Sequence, residues 1–200
     1  SKRIRFEGDG YGDAWEKEAK KRGLSNNKTT PEALKAQVFK STIALYEGLG
    51  IMSKVEIEAR HEIEVEEYAM RIQIEGRVLG DIARNHVIPT AIKYQNILIE
   101  NVQGLKDIYG KTFKKYAKEQ MNLIEAISEH IETINKGITD MINERKKANG
   151  IDDAEKRAFA YCDTVKPYFD VIRYHCDKLE LLVDDEIWPL TKYRELLFTR

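Results

Sequence analysis

The sequence predicts an all-α protein: an elongated antiparallel helical bundle of three long helices, with short helices at its N- and C-terminal ends. Three observations predict it. Along two segments the residues alternate in steps of three and four: Ile124, Ile127, Ile131, Ile134, Ile138, Met141, and Ala158, Tyr161, Val165, Tyr168, Ile172, His175, Leu179, Leu182. That is the seam spacing of packed helices. Only four prolines punctuate 200 residues. Strand-like alternation is confined to Arg3-Ile4-Arg5-Phe6.

Taken in order, Gly8, Gly10 and Gly12 surround Tyr11. The spacing GxGxG resembles a phosphate cradle, but no strand–loop–helix context accompanies it, so a connecting loop is expected. Asp13 is placed to cap a short helix ended by Gly23, with an acidic start and a basic end that suit the helix dipole. Thr30-Pro31-Glu32 opens the next helix, with the hydroxyl as cap, proline at the first helical position and the carboxylate just after. Leu34, Val38, Ile43, Leu45 and Leu49 are its apolar residues, and Gly48 and Gly50 end it.

Ser53-Lys54-Val55-Glu56 is a capping box, S-x-x-E, with Ile51 and Met52 placed to staple the first turn. A helical pattern then runs to Tyr109. Straight, it would span roughly 85 Å, against a radius of gyration of roughly 16–17 Å for a compact domain of this length. Pro89 is the expected bend, because it leaves the carbonyl of Asn85 without its donor. After a break at Gly110, the first seam continues the chain to Asn149-Gly150. Asp152 or Asp153 caps the last long helix, Pro167 kinks it near Asp163, and Trp188-Pro189 ends it. The tail adds a short helix. Short turns near residues 110 and 150 favour adjacent antiparallel partners.

Composition narrows the function classes. Charged residues make up 34% and apolar residues 42%, and 33 basic against 34 acidic residues give a net charge of −1. No overall field attracts nucleic acid or anionic lipid, and no apolar run reaches the roughly 18 residues of a membrane span. The N-terminus has no signal-peptide h-region and no initiator Met, so an excised fragment is expected. Cys162 and Cys176 lie four helical turns apart, so on one helix they cannot reach each other, and reduced thiols in a cytoplasmic protein are expected.

Candidate chemistry is sparse. Glu58-x-x-His61 has the spacing of a di-iron carboxylate bundle, yet no second such motif occurs, and the neighbouring glutamates read as a solvated face. Lys111, Lys114, Lys115 and Lys118 beside Tyr109 and Tyr116 form a short basic patch; nucleic acid is one reading, but one or two turns of lysines in a chain of near-zero net charge favour a solvated face or contact with an acidic neighbour. His130 and His175 sit near apolar stripes as boundary residues. The most informative stretch is Ile74 to Asn101. It has helical rhythm, yet carries Gly76 and Gly80, the cluster Arg84-Asn85-His86 one turn after Asp81, and Pro89. Interior glycine costs a helix about 1 kcal/mol and proline about 3 kcal/mol. The G-x-x-x-G spacing therefore predicts close approach of another backbone. The polar cluster admits two readings: an anion or substrate site, or structural pairing. In the second, Arg84 or Arg77 pairs with Asp81, and Asn85, His86, Gln95 and Asn101 bond to a facing helix.

Three stretches, GDGYGDAWEKEAKKRGLSNNKTTPEAL, ARHEIEVEEYAMRIQIEGRVLGDIARNHVIPTAIKYQN and VDDEIWPLTKYRELLF, together resemble the C-terminal region of type III glutamine synthetases, the long-chain bacterial form. The resemblance covers nearly the whole chain. It implies a parent enzyme that joins glutamate and ammonia with ATP and divalent metal, Mg or Mn, in a double-ring homo-oligomer. It also implies that the catalytic barrel lies upstream, so no catalytic, cofactor-binding or metal-binding residue is carried onto this chain. Residues 1–29 are then a loop and short helix leading from that core, and 30–200 the bundle. The expected partners are the catalytic core of the same polypeptide and other subunits, with no nucleic acid and no membrane. The expected contact residues are Gly76, Gly80, Asp81, Arg84, Asn85 and His86. The alternative is a free-standing helical interaction module.

Overall fold

The structure, a computed structural model, describes residues 5–198. The alternation Arg3-Ile4-Arg5-Phe6 begins outside the described residues. Among the described residues there is no strand, as the all-α expectation requires. Close contacts group the chain into two compact units that divide between Tyr68 and Ala69.

In the first unit, the glycine-rich loop is closed by its own aspartate. Asp9 Oδ1 accepts from the Tyr11 amide at 3.0 Å, and the Asp9 carbonyl accepts from Gly12 at 3.4 Å. Helix α1 (Asp13–Arg22) follows. Asp13 is its first residue rather than its cap: Gly12 holds the cap position and no side chain caps it. Gly23 ends α1 at φ 68°, and Leu24 N–H reaches back to the Ala19 carbonyl at 2.9 Å. That is the left-handed glycine stop the sequence indicates.

Helix α2 (Thr30–Lys35) is capped by Thr29, not Thr30. Thr29 Oγ1 accepts from the Glu32 amide at 3.4 Å, and Glu32 Oε2 accepts from the Thr29 amide at 3.2 Å. Only Thr29 stands three residues before a glutamate, so only it completes the reciprocal box. The expected single helix to Gly48 is broken. A 3₁₀ turn (Ala36–Val38) follows α2, Phe39 is extended at φ −64°, ψ 141°, and α3 (Lys40–Gly48) restarts. The Thr42 hydroxyl donates to the Ala36 carbonyl at 2.9 Å, and Gln37 donates to Glu64 at 2.7 Å, which hold the break. Helix α4 (Lys54–Ile82) opens on the expected Ser53–Glu56 box, with Ser53 N–H to Glu56 Oε2 at 2.8 Å. The unit boundary falls inside α4.

The second unit is built from the rest of α4, α5 (Ile88–Tyr109), α6 (Lys118–Asn149), α7 (Ala154–Ala160), α8 (Pro167–Leu182) and the short α9 (Tyr193–Leu196). Between α4 and α5 the ladder widens into a π-turn, Ala83–Val87, in which Ile88 N–H donates to the Ala83 carbonyl. Between α7 and α8 a second π-turn, Tyr161–Val165, has Lys166 N–H donating to Tyr161 at 3.0 Å. Each π-turn ends two residues before a proline, Pro89 or Pro167. The ring removes one donor and crowds the carbonyl four residues back, and a wider turn relieves both.

Two boundaries differ from expectation. Residues Gly110–Lys115 form 3₁₀ turns, and α6 begins only at Lys118. Lysines crowd this start, where the dipole disfavours cations. Helix α8 stops at Leu182, before Trp188, because Asp184 starts a turn whose carbonyl accepts from Ile187 and Trp188 at 3.2 and 3.1 Å. Of the two aspartates expected to cap the last long helix, Asp153 does so, accepting from Lys156 N–H at 2.8 Å.

Side-chain bonds fix the order of the bundle. Gln95 reaches Ile124 and Ser128, Arg84 reaches Thr139, and Gln73 reaches Asn149. One partner retreats as the other advances, so α6 runs antiparallel to α4–α5. Likewise His130 meets His175, Gly137 meets Ile172, and Asn149 meets Tyr161, so α8 runs antiparallel to α6. The two predicted seams form the core: Ile127, Ile134, Ile138 and Met141 face Ala158, Tyr161, Val165, Ile172 and Leu179, all buried.

Candidate functional site

The second unit holds a cleft of about 290 Å³ between α4 and α6, lined by Gly76, Arg77, Gly80, Asp81, Arg84, Asn85, Ile138, Met141, Ile142 and Arg145. Helical spacing builds it. Gly76 and Gly80 lie four apart, and Arg77, Asp81 and Arg84 follow on the adjoining face. Ile138, Met141, Ile142 and Arg145 repeat the spacing on α6. The floor is apolar and the rim carries three arginines and one aspartate. Arg84 is held across the helix interface, donating to Thr139 Oγ1 at 3.2 Å, while Thr139 donates to the Asn135 carbonyl at 2.9 Å.

Five of the six residues singled out in the sequence thus share one cleft, and His86 is exposed outside its lining. The contacts differ from expectation. The glycines admit side chains rather than a backbone. A Cβ on Gly76 would meet the Phe169 ring at 3.1 Å and Met141 Sδ at 3.5 Å, and one on Gly80 would meet Ile138 at 3.5 Å. Asp81 accepts from Asn85 Nδ2 instead of an arginine. Of the proposed bonds to a facing helix, Gln95 makes two, to Ile124 O at 2.9 Å and Ser128 Oγ at 2.7 Å. Asn85 turns back onto its own helix, and Asn101 is exposed.

Arg145, invisible as a site residue in the sequence, joins the cleft because α6 folds back on α4. Its trace is the phase of the Ile138–Met141–Ile142 seam. One turn further along the same helix, Asn149 Oδ1 accepts from Tyr161 at 2.6 Å and from Gln73 at 3.0 Å, tying three segments together. Burial pushes the Tyr161 hydroxyl above its ordinary range, which keeps it a donor. Between α6 and α8, His130 Nδ1 and His175 Nδ1 lie 2.9 Å apart. One ring must offer a bare nitrogen, so this contact requires that the two rings are not protonated at the same time. Burial first, and the charge of His175 second, lower the His130 pKa from 6.5.

The remaining motifs do not assemble. Glu58 is on the surface 3.5 Å from Lys54, while His61 is buried at 7% exposure. Among the described residues no group of three or more His, Cys, Asp or Glu side chains is placed to hold a metal ion. Lys111, Lys114 and Lys115 of the basic patch lie on the 3₁₀ turns and Lys118 opens α6; Tyr109 and Tyr116 stack there at 4.2 Å and Lys115 sits 5.6 Å over Tyr116. Both cysteines are free thiols, and burial raises Cys176 to about 11, so it is a poor nucleophile. No described helix is long and apolar enough to cross a membrane.

Comparison with known proteins places these features. Residues 1–106 match the family described as the glutamine synthetase C-terminal domain. A glutamine synthetase of Bacteroides fragilis (strain YCH46) is 45% identical over 201 residues, covering 100% of this chain and 28% of the relative. A type-3 glutamine synthetase of Dictyostelium discoideum is 32% identical over 200 residues, covering 99% of this chain and 27% of the relative. A glutamine synthetase of Butyrivibrio fibrisolvens is 28% identical over 198 residues, covering 99% and 28%. The chain therefore spans a little over a quarter of the length of these relatives.

Proposed function

This chain belongs to the glutamine synthetase C-terminal domain family, and we propose that it serves as the helical packing domain of a type III enzyme. In this reading the parent joins glutamate and ammonia with ATP and Mg or Mn, in the cytoplasm and as a homo-oligomer. The bundle packs against the catalytic core of the same polypeptide or against a neighbouring subunit, and itself carries no catalysis. The described residues provide no cluster suited to the divalent metal, and the glycine-rich loop is closed on Asp9 rather than open to a phosphate. No catalytic step is assigned to this chain.

One observation carries the packing role. Met70, Ile74 and Val78 lie at four-residue steps along α4 and are 54%, 53% and 51% exposed. Such a stripe costs solubility unless another surface covers it. It flanks the cleft that holds Asp81, Arg84 and Asn85, so apolar and polar contact groups share one side of the helix. An assay of the isolated 200-residue chain for ATP-dependent glutamine formation checks the first half of the proposal. No turnover is expected, and measurable synthetase activity would refute it.

A further inference from the structure

We infer that the cleft between α4 and α6 receives carboxylate side chains from an acidic segment of the synthetase outside this chain. The inference rests on the packing role proposed above and names the chemistry of the surface that meets it. Arg77, Arg84 and Arg145 crowd one concave rim with a single carboxylate, Asp81, and that carboxylate already accepts from Asn85. Arg84 spends one N–H on a neutral hydroxyl, Thr139. Among the described residues, none of the three arginines forms an ion pair, although pairs such as Lys54–Glu58 and Arg173–Asp177 form elsewhere on the helices. The cleft thus keeps local positive charge in a chain whose net charge is −1.

Guanidinium groups bind carboxylates through paired parallel N–H donors. The apolar floor of Ile138, Met141 and the glycine backbone favours a ligand with a carbon body, such as a Glu or Asp side chain, over a bare anion. The exposed Met70, Ile74 and Val78 ridge runs beside the rim, since Arg77 and Asp81 lie three and seven residues beyond Ile74. An apolar ridge beside arginine anchors is the composition of a protein interface. The curated relatives carry more than two thirds of their length outside the region this chain matches, which is ample chain to supply such a segment.

The test uses the full-length synthetase carrying Arg77→Lys and Arg145→Lys. Both keep the charge and supply amines. A water-soluble carbodiimide activates a nearby Asp or Glu carboxyl, the lysine amine attacks it, and an amide forms as the carbodiimide leaves as its urea. Peptide mapping is expected to show position 77 or 145 joined to an acidic residue outside this chain, with the product lost when both arginines are changed to Gln. A parallel variant, Ile74→Asp, is expected to loosen the assembly in a native mass measurement. If Ile74→Asp disrupts assembly but no crosslink leaves the chain, the carboxylate inference falls and the packing role stands. A crosslink only to Asp81, or to a second copy of this chain, also overturns the inference. If no crosslink leaves the chain and Ile74→Asp changes neither the assembly mass nor the rate of limited proteolysis between bundle and core, both readings fall.

Discussion

Gly137 shows how a single missing methyl group sets helix spacing. A Cβ there would lie 3.1 Å from Ile172 Cγ1, and Ile172 is fully buried and β-branched. It has no free rotamer to retreat into. Gly137→Ala gains helix propensity of about 1 kcal/mol but overpacks the α6–α8 seam, which typically costs about 1–3 kcal/mol. Net destabilisation is expected by chemical denaturation. Gly104, in α5, has nothing within 4 Å of its would-be Cβ, so Gly104→Ala is expected to stabilise by about 0.5–1 kcal/mol. The sequence drew attention to Gly76 and Gly80 because they repeat at a recognisable spacing. It passed over Gly137, whose reason lies on another helix. The histidine pair was hidden in the same way, since neither ring declares its partner. Its consequence has a definite sign. His130 is lowered by burial, then by His175, with Lys178 adding to this and Glu129 opposing it. The unfolded chain therefore takes up this proton at higher pH than the folded one. The contribution is complete above about 6.5 and is lost as the pH falls through the folded value. The melting temperature is expected to fall between pH 7 and pH 5 more steeply than in His130→Gln. Superimposable profiles would remove the pair as the cause.

At the scale of elements, the caps carry the clearest lesson. Sequence logic found the Ser53 cap and the Gly23 stop and narrowed the cap of the last long helix to Asp152 or Asp153, because each is a local signal read within four residues. It placed the cap of α2 on Thr30, beside the proline, and did not consider Thr29, which stands three residues before Glu32. The difference is measurable. Thr29→Ala removes the acceptor for the Glu32 amide and is expected to cost about 1 kcal/mol. Thr30→Ala, one step inside α2, is expected to be near neutral. Helix content by circular dichroism against denaturant separates the two, and equal losses would return the cap to Thr30. The break at Phe39 had a trace as well: Leu34, Val38, Ile43, Leu45 and Leu49 never settle into alternating threes and fours. Both prolines were read as bends. The structure resolves each into a π-turn ending two residues earlier, a pattern that a search for i, i+3 and i, i+4 periodicity does not see, because the wider turn shifts the phase by one residue.

For the whole molecule, the distribution of buried apolar side chains predicts which parts hold firm. The seams of α6 and α8 were legible from spacing alone, and they bury Ile127, Ile134, Ile138, Met141, Tyr161, Val165, Ile172 and Leu179 nearly completely. The division at Tyr68 was not legible, because it falls inside an uninterrupted helix and leaves no composition change. Before that point the buried apolar side chains among the described residues are Ala19, Pro31, Ile57 and Val65, mostly small. Burial of a large aliphatic side chain stabilises by about 1.5–3 kcal/mol, so the first unit has few such contributions to offset the entropy of ordering α1, α2 and α3. Local opening follows this imbalance. Amides of α1 to α3 are therefore expected to exchange with deuterium at least tenfold faster than those at the centres of α6 and α8, when read by mass spectrometry on the same sample. Uniform protection across both units would mean that the first unit draws its stability from contacts beyond its own buried side chains.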